Sequence, residues 1–340
     1  MNKTLVTLKR FALAILAMAF TSTQANAFDI IAHRGASGYL PEHTLAAMAM
    51  AHAQQPDYIE QDLVLTKDDR LVVLHDIHLE TVTNVEQVFP TRHRQDGRYY
   101  ALDFTLAELR TLSVHERTKA DGTPVFKNRY QGNGHFTIAT FEEHLSSITS
   151  LNASTGQHIG LYTEIKSPGW HRAQGHDISK QVLTVLRKHN LDHADANIYV
   201  QCFSFEEIKR LRDTLNAKVK LVQLIAENSW NETPTEYDSL KTPAGILTLQ
   251  NYVQGIGPWL GHVTQSTPEQ PSTALAPWVV AAQQAGLVIH PYTFRTDQLP
   301  AGVSAEQLLN LIVEKWQFDG LFTDQVPPVK AFLKQQSARH

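Results

Sequence analysis

Short apolar runs rich in β-branched residues alternate with longer stretches of helical periodicity through most of the chain. Such a run is typical of a strand buried on both faces, whereas apolar positions three and four residues apart are typical of a helix. The alternation predicts a parallel sheet covered by helices. The predicted strands span residues 29–33, 58–62, 71–75, 159–166, 198–203, 220–225, 255–257, 287–293 and 320–324. The predicted helices span residues 44–54, 177–189, 205–216, 276–285 and 305–315.

For a chain of 340 residues, this pattern favours an α/β fold of the (β/α)8 TIM-barrel type, with a doubly wound open sheet as the alternative. Nine predicted strands compete for the eight places of a barrel. Two solutions are open: residues 63–74 form a hairpin that turns at 67–70, or the weak strand at 255–257 lies outside the barrel. No linker-like or low-complexity segment divides the chain, so we predict a single barrel domain over residues 28–340.

An insertion is predicted after an early strand, at about residues 77–140. The gap between Asp76 and Ile159 holds 82 residues, whereas a crossover between parallel strands needs about 12 or somewhat more. Capping-box patterns that begin at Thr105 and Thr140 predict helix starts, the second of which fits the return to the barrel. Because the insertion follows the C-terminal end of a strand, it either overhangs the site as one wall or serves as packing filler.

Residues 1–27 have the organisation of a secretory signal peptide. Three basic residues precede an unbroken apolar segment at 11–20, and Ala25-Asn26-Ala27 supplies the small residues of a cleavage site. The alternative is a membrane anchor, but this apolar segment is too short, since a membrane-spanning helix needs roughly 20 residues. We therefore expect cleavage after Ala27, export of the mature chain and no stable membrane insertion.

The mature chain is expected to be mildly acidic. The full sequence carries 30 Lys and Arg against 34 Asp and Glu, and loss of three basic residues with the signal peptide takes the net charge from −4 to about −7. This balance argues against nucleic acid and anionic lipid as partners. Cys202 is the only cysteine, so no intramolecular disulfide can form, and its apolar neighbours indicate a buried structural thiol rather than a nucleophile.

Three carboxylates in strand-like segments are candidate metal ligands. Glu60 and Asp62 lie two residues apart, and residues at this spacing on a strand point to the same side. Two converging anions repel unless a cation or proton intervenes, and the alternative is a solvated strand end. Glu164, in another strand-like segment, adds a third carboxylate. A set of three carboxylates suits a hard cation, calcium or magnesium, and disfavours zinc.

Two histidines and two cationic side chains accompany these acids. His33 and Arg34 follow a buried strand, which in a barrel places them on the catalytic face. The Arg34 guanidinium can donate two parallel hydrogen bonds to phosphate oxygens, or it can pair with a nearby acid. His75 ends another strand, and Asp76 either orients it or caps the next segment. Lys166 shares a face with the third carboxylate and is either a second cation for phosphate or the partner of that carboxylate.

Taken in order, these groups resemble the exported, periplasmic type of glycerophosphodiester phosphodiesterase over essentially the whole mature chain. Each motif alone is weak, whereas the ordered set across four strand-like segments is specific. The matching motifs are Ile31-Ala32-His33-Arg34-Gly35-Ala36, Pro41-Glu42-His43-Thr44, Ile59-Glu60-Gln61-Asp62, Val73-Leu74-His75-Asp76, Thr163-Glu164-Ile165-Lys166, Pro291-Tyr292-Thr293 and Phe322-Thr323-Asp324. His43 and Tyr292 depart from many relatives, which leaves the detailed pocket wall open.

The resemblance implies a (β/α)8 barrel with a small insertion, a periplasmic location and one divalent cation, typically calcium in this branch. The implied metal ligands are Glu60, Asp62 and Glu164. The implied acid–base pair is His33 and His75, Arg34 is the implied phosphate contact, and Lys166 is a site lysine of less settled role.

The implied reaction is hydrolysis of small glycerophosphodiesters to sn-glycerol 3-phosphate and an alcohol such as choline, ethanolamine or glycerol. Either histidine can be the acid, and either water or the substrate's own glycerol hydroxyl can be the nucleophile. Two alternatives compete with this hypothesis. A phospholipase acting on intact lipid would need an apolar rim, and a non-catalytic exported binding protein would use Arg34 and Lys166 to hold a phosphorylated solute without needing paired histidines.

Overall fold

The computed structural model describes residues 28–266 and 272–338, which form an eight-stranded parallel barrel with an added hairpin strand. The strands are β1 (Asp29–Ala32), β2 (Tyr58–Leu65), β3 (Leu71–Val73), β4 (Gly160–Ile165), β5 (Ile198–Cys202), β6 (Lys220–Ile225), β7 (Gly255–Pro258), β8 (Val288–Ile289) and β9 (Gly320–Thr323). The order β8-β7-β6-β5-β4-β2-β1-β9 is parallel at every step. The segment after β8 pairs with β9 through a parallel bridge between Phe294 and Thr323, which brings the two ends of the sheet together. The barrel prediction is confirmed.

Helices follow the strands and cover the outside of the barrel. They are α1 (Leu45–Gln54), α2 (Val85–Val88), α3 (Leu106–Leu109), α4 (Phe141–Thr155), α5 (Pro168–Ala173), α6 (Ile178–Lys188), α7 (Phe205–Asp213), α8 (Tyr237–Leu240), α9 (Pro243–Leu249), α10 (Pro277–Gln284), α11 (Ala305–Asn310) and α12 (Val326–Ser337). Thr44, Ser204 and Ser304 begin three of them, because each side chain accepts a hydrogen bond from a backbone N–H of the first turn. A π-helical segment, Leu311–Lys315, extends α11 to the end of the predicted helix 305–315.

The structure resolves the conflict between nine strands and eight places in favour of the hairpin. Among the strands of the described residues, β3 pairs with β2 alone, antiparallel and with Leu63 opposite Val73. The turn closes where expected: Asp69 adopts a left-handed conformation, and the Thr66 hydroxyl accepts a hydrogen bond from the Arg70 N–H. The alternative is wrong, since β7 lies inside the barrel between β6 and β8.

Two apolar layers stabilise the barrel. Its interior is filled by aromatic and aliphatic side chains, among which Tyr162 contacts both Tyr58 and Phe322 edge to face. A larger layer lies between the strands and the surrounding helices. Because each strand is covered on both faces, all eight residues of β2 are buried, including its acidic ones.

The predicted insertion has a small core of its own, packed on the outer face of the β2–β3 hairpin. Val64 and Val72 of the hairpin join residues such as Phe104 and Leu109 in this cluster. Both predicted capping boxes form, at the start of α3 and of α4. The helix that begins after the second capping box, α4, packs against α1 and so returns the chain to the barrel, as the sequence suggested.

The predicted signal peptide, residues 1–27, lies outside the described part of the chain. In the part that is described, none of the helices combines the length and the apolar character needed to cross a bilayer.

Candidate active site

A cavity of about 240 Å³ opens at the C-terminal ends of the barrel strands. Five of the seven residues predicted for the site line it, and the other two, Asp62 and Lys166, are buried directly behind its surface. The five are His33, Arg34, Glu60, His75 and Glu164. The structure therefore brings together all the residues singled out from the sequence.

The three predicted metal ligands converge on one point. Glu60 and Asp62 lie on β2, and Asp62 is directly opposite Glu164 in the parallel pairing of β2 with β4. One carboxylate oxygen from each of the three lies within 4.8 Å of the others, and all three residues are buried. This convergence follows from period-two geometry on β2 and from the register between the two strands.

The electrostatics of this acidic triad fit a bound cation. Burial and the neighbouring Asp62 charge raise the pKa of Glu60 well above its usual range, and burial also raises the pKa of Glu164. Asp62 behaves oppositely: burial opposes its ionisation, but His43 holds its pKa well below the usual range. Oδ1 of Asp62 is buried and has no hydrogen-bond partner in the described part of the chain. Three oxygen donors, mutual repulsion and an unpartnered oxygen together suit a hard divalent ion.

Each predicted catalytic histidine is held by an aspartate. The Nδ1 atom of His33 lies 2.6 Å from Oδ1 of Asp324, and Nδ1 of His75 lies 2.6 Å from Oδ1 of Asp76. Since an ionised carboxylate only accepts hydrogen bonds, Nδ1 must carry the proton in both rings. The lone pair of each ring is thus on Nε2. The structure shows Asp76 orienting His75, one of the two roles that the sequence left open.

Both histidines are neutral near pH 7. Burial, assisted by the positive charge of Arg34, lowers the pKa of His33 to about 4 and that of His75 to about 3. A neutral imidazole with a fixed tautomer can accept a proton at Nε2, and its conjugate acid can return one.

The two cationic residues flank the triad from different sides. Arg34 donates its backbone N–H to Glu60 at 2.7 Å, its Nη1 to Glu42 at 3.1 Å, and leaves Nε buried without a hydrogen-bond partner among the described residues. Lys166 Nζ lies 2.7 Å from Glu164 and 3.4 Å from Nε2 of His75. Both side chains therefore pair with acids, the role the sequence gave as the alternative to a phosphate contact. Arg34 also lines the cavity, whereas Lys166 is buried behind its surface.

A tight turn after β1 places Arg34 at the mouth of the barrel. Arg34 and Gly35 both have positive φ angles, of 58° and 79°. A Cβ at Gly35 would lie only 3.0 Å from the backbone carbon of Ala47 in α1. Glycine is required because the chain turns left-handed while touching a helix backbone.

Two arginines of the insertion, which the sequence analysis missed, hold the aspartates of the two histidines. Arg117 donates to Asp76 at 2.6 Å and to Glu42 at 2.6 Å, and Arg129 donates to Asp324 at 2.6 Å. Among the described residues that line the cavity, none comes from 77–140. The insertion is thus neither the expected wall nor mere filler, because it supports the histidines from behind. Irregular segments carry no periodic signal that could have revealed these arginines.

The side of the cavity formed by β5 to β8 was also missed, apart from Tyr292. It carries Phe203, Trp230, Trp259 and Tyr292, together with Glu232. Asp324, in contrast, stands at the end of β9 after a buried strand, which is the same signal that identified His33 and His75.

A parallel (β/α)8 barrel with an acidic triad and two aspartate-held histidines at its C-terminal face defines a barrel hydrolase of the phosphodiester type. Comparison with known proteins agrees. The chain belongs to the glycerophosphoryl diester phosphodiesterase family, whose model matches residues 33–327. The enzyme prediction is confirmed at the level of this class.

Two curated relatives and one solved structure illustrate the similarity. The chain is 41% identical to a glycerophosphodiester phosphodiesterase of Haemophilus influenzae, covering 90% of this chain and 89% of the relative. It is 35% identical to one of Treponema pallidum, covering 87% and 88%. An Oleispira antarctica phosphodiesterase, solved in complex with the product sn-glycerol 3-phosphate, has a TM-score of 0.58 at 19% identity and covers 90% of this chain and 96% of its own. The last comparison supports the fold.

Proposed function

We propose that this enzyme hydrolyses glycerophosphodiesters, namely glycerophosphocholine, glycerophosphoethanolamine and glycerophosphoglycerol, to sn-glycerol 3-phosphate and an alcohol. The observation that carries the proposal is the pair of neutral, aspartate-held histidines beside the acidic triad in one cavity. The family supports the reaction class, and the product bound to the Oleispira antarctica phosphodiesterase supports the identity of the phosphate product.

The residues at the cavity divide the work of binding the phosphodiester. Its nonbridging oxygens are anionic and repel a nucleophile unless that charge is neutralised. A divalent cation held by Glu60, Asp62 and Glu164 would supply most of this neutralisation, because three carboxylates suit a hard ion such as calcium or magnesium. We propose calcium, the ion that the family resemblance implies. Arg34 and Lys166 lie on either side and provide further positive charge for the phosphate oxygens.

His33 and His75 act as base and acid in this proposal. One neutral histidine takes the proton of the nucleophile at Nε2, the nucleophile being either water or the glycerol hydroxyl next to the phosphate. The other histidine must enter the step protonated at Nε2, a form that the negative charge of the bound phosphodiester favours, and it gives that proton to the departing alcohol. Exchange of one proton with water then returns both rings to their starting forms. If the hydroxyl is the nucleophile, a cyclic phosphate forms first. A slowed His33→Gln or His75→Gln variant should then accumulate a cyclic product, whereas direct attack by water gives none.

The decisive experiment measures release of glycerol 3-phosphate from glycerophosphocholine. A chelator should abolish it, and calcium should restore it better than magnesium. His33→Ala and His75→Ala should each lose most of the activity, about 10²-fold or more, while keeping calcium affinity measured by calorimetry. Glu60→Gln should lose calcium binding and activity together. A fully active His75→Ala enzyme would refute the acid–base roles, and full activity in chelator would refute the metal.

We also propose export to the periplasm through residues 1–27. The basic start, the short apolar segment and the Ala25-Asn26-Ala27 site support it. N-terminal sequencing of the protein recovered from a periplasmic fraction should begin at Phe28. A chain that retains Met1 in a membrane fraction would contradict this proposal.

A further inference from the structure

Four aromatic side chains line the part of the cavity formed by the ends of β5 to β8. This aromatic wall consists of Phe203, Trp230, Trp259 and Tyr292. The two tryptophans meet edge to face with ring centroids 5.3 Å apart, and Phe203 and Tyr292 meet edge to face at 5.9 Å. Trp230 and Trp259 remain 42% and 39% exposed. Such large apolar surfaces at a cavity mouth are available to a ligand.

The rings of the wall are held in place. A Cβ at Gly261 would lie 2.3 Å from the Trp259 ring. The indole therefore packs against the glycine backbone, and only a residue without a side chain leaves room for it. His262 packs against both tryptophans, at 4.8 Å from Trp259 and 6.2 Å from Trp230. The Tyr292 hydroxyl donates to the Ile225 carbonyl at 2.9 Å. The wall is therefore preorganised.

Charge changes sign along the wall. Lys166, which is buried behind the cavity surface, marks the inner end of the wall, with its Nζ 5.4 Å from the centroid of Phe203. Glu232 lines the cavity at its outer part and is exposed. The nearby acid Glu227 pairs with Lys241 and His262, whereas Glu232 forms no ion pair with any residue in the described part of the chain. An anionic group suits the inner end, and a cationic group suits the outer end.

We propose that the aromatic wall and Glu232 bind the quaternary ammonium of a choline head group, which makes this enzyme selective for glycerophosphocholine over diesters with uncharged alcohols. The inference rests on the proposed function, since it concerns the alcohol half of the same substrate. The π faces of two indoles attract a weakly hydrated cation, and the free carboxylate balances its charge.

A neutral polyol fits this surface less well. The hydroxyls of glycerol need hydrogen-bond partners, and the Tyr292 hydroxyl is already committed to Ile225. Such partners lie on the polar side of the cavity, where Gln201 and Arg295 also line it. The glycerol phosphate half of the substrate therefore suits the polar side, and the alcohol half suits the wall.

The test compares three substrates with the calcium-loaded enzyme: glycerophosphocholine, glycerophosphoglycerol, and the diester of 3,3-dimethylbutanol, which is the uncharged carbon isostere of choline. Trp230→Leu and Trp259→Leu should each lower kcat/KM for glycerophosphocholine about fivefold relative to both other substrates. Glu232→Gln should act in the same direction. Trp230→Phe keeps a π face and should recover part of the loss. Leu247→Ala, at an exposed position on α9, is the control and should match the parent on all three.

Two kinetic outcomes would overturn the inference. Equal losses on all three substrates would mean that the wall holds the common glycerol phosphate half. Equal losses on choline and its carbon isostere, with glycerophosphoglycerol spared, would mean that the wall is only an apolar surface without preference for a cation.

A binding measurement separates this inference from the proposed reaction. Choline chloride should change the tryptophan fluorescence of the calcium-loaded enzyme, ethanolamine should change it less, and a Trp230→Leu/Trp259→Leu double variant should respond to neither. Choline binding without hydrolysis of any diester would refute the reaction and support the wall. Hydrolysis of all diesters, with no fluorescence change at millimolar choline, would support the reaction and refute the wall.

Discussion

Replacing Asp324 by asparagine tests whether fixing the tautomer of His33 is what makes this histidine useful. Asp324 is almost fully buried and uses both carboxylate oxygens. Oδ1 accepts from Nδ1 of His33 at 2.6 Å, and Oδ2 accepts from Arg129 at 2.6 Å and from Arg295 at 2.7 Å. Burial opposes its ionisation, but Arg295 and His33 hold the pKa of Asp324 well below its usual range.

An asparagine cannot satisfy all three donors in either orientation of its amide. With its oxygen towards the arginines, its NH2 group faces Nδ1 of His33, so the ring must move its proton to Nε2. With its oxygen towards His33, its NH2 group faces two guanidinium groups, and donors meet donors. The first orientation is preferred because it keeps two charge-assisted hydrogen bonds. His33 then presents a proton, rather than a lone pair, to the cavity.

The expected magnitudes follow from these contacts. Loss of one charge-assisted hydrogen bond and weakening of two others at a buried site should lower the free energy of unfolding by about 3 kcal/mol. Wrong protonation of one acid–base group should lower kcat by roughly 10²- to 10⁴-fold. KM should change little in either direction, because Asp324 does not line the cavity.

Asp76→Asn is the matched control. Its carboxylate makes the same contact to His75 at 2.6 Å, but its side chain is 29% exposed, so water can satisfy the donors that the amide leaves. We expect a comparable loss of kcat with a loss of stability of only about 1 kcal/mol. The assays are urea unfolding followed by circular dichroism, and steady-state release of glycerol 3-phosphate.

The reasoning would be refuted by an Asp324→Asn enzyme that is folded and retains more than about a tenth of its kcat, since acid–base catalysis should contribute far more than this. It would also be refuted if both variants lost stability equally, because the burial of the carboxylate would then not decide the cost.

Three further predictions concern the stability of the fold, each measured by urea unfolding. Burial raises the pKa of Glu116 to about 7, so its ionisation opposes folding as the pH rises from the unfolded-state pKa towards 7 and above. Glu116→Gln should therefore be more stable than the parent by about 2 kcal/mol at pH 8 and nearly equal to it at about pH 4, and a pH-independent difference would contradict this. Gly97→Ala should lower the free energy of unfolding by about 1–2 kcal/mol, the cost of a left-handed φ, and the matched Gly35→Ala should lower it further. Both glycines have φ of 79°, but only Gly35 approaches another backbone, so equal costs would show that φ alone matters. Thr140→Ala should cost about 1 kcal/mol by removing the capping box of α4, and an unchanged midpoint would count against a role for this cap.

The strands and the acidic residues could be predicted because their signals are local. A barrel strand is covered on both faces, so it reads as a short apolar run, and the first polar residues after it stand at the mouth of the barrel. This is how His33, Glu60 and Glu164 were found from single segments. The same signal was available for Asp324 at the end of β9, and the sequence analysis matched its motif without giving it a role.

Other parts of the site have no local signal. Arg117 and Arg129 lie in irregular chain, where neither a period of two nor one of 3.6 marks a residue. Trp230 is the last residue of a short 3-10 helix, Asn228–Trp230, and an exposed tryptophan cannot be distinguished from any loop aromatic until its neighbours are known. Their functions depend on contacts with Asp76, Asp324 and Trp259, which are distant along the chain.

The sequence by itself determined the alternation of strands and helices, the paired carboxylates on β2 and the place of each histidine at a strand end. These depend on side-chain period and on the need to bury apolar faces, which act within one segment. Only the tertiary structure decided that β3 forms a hairpin with β2, that Glu164 lies opposite Asp62, that insertion arginines hold both histidine partners, and that aromatic rings line the same cavity as the triad. Those outcomes depend on strand register and on the closure of the barrel, because both join residues that no local pattern connects.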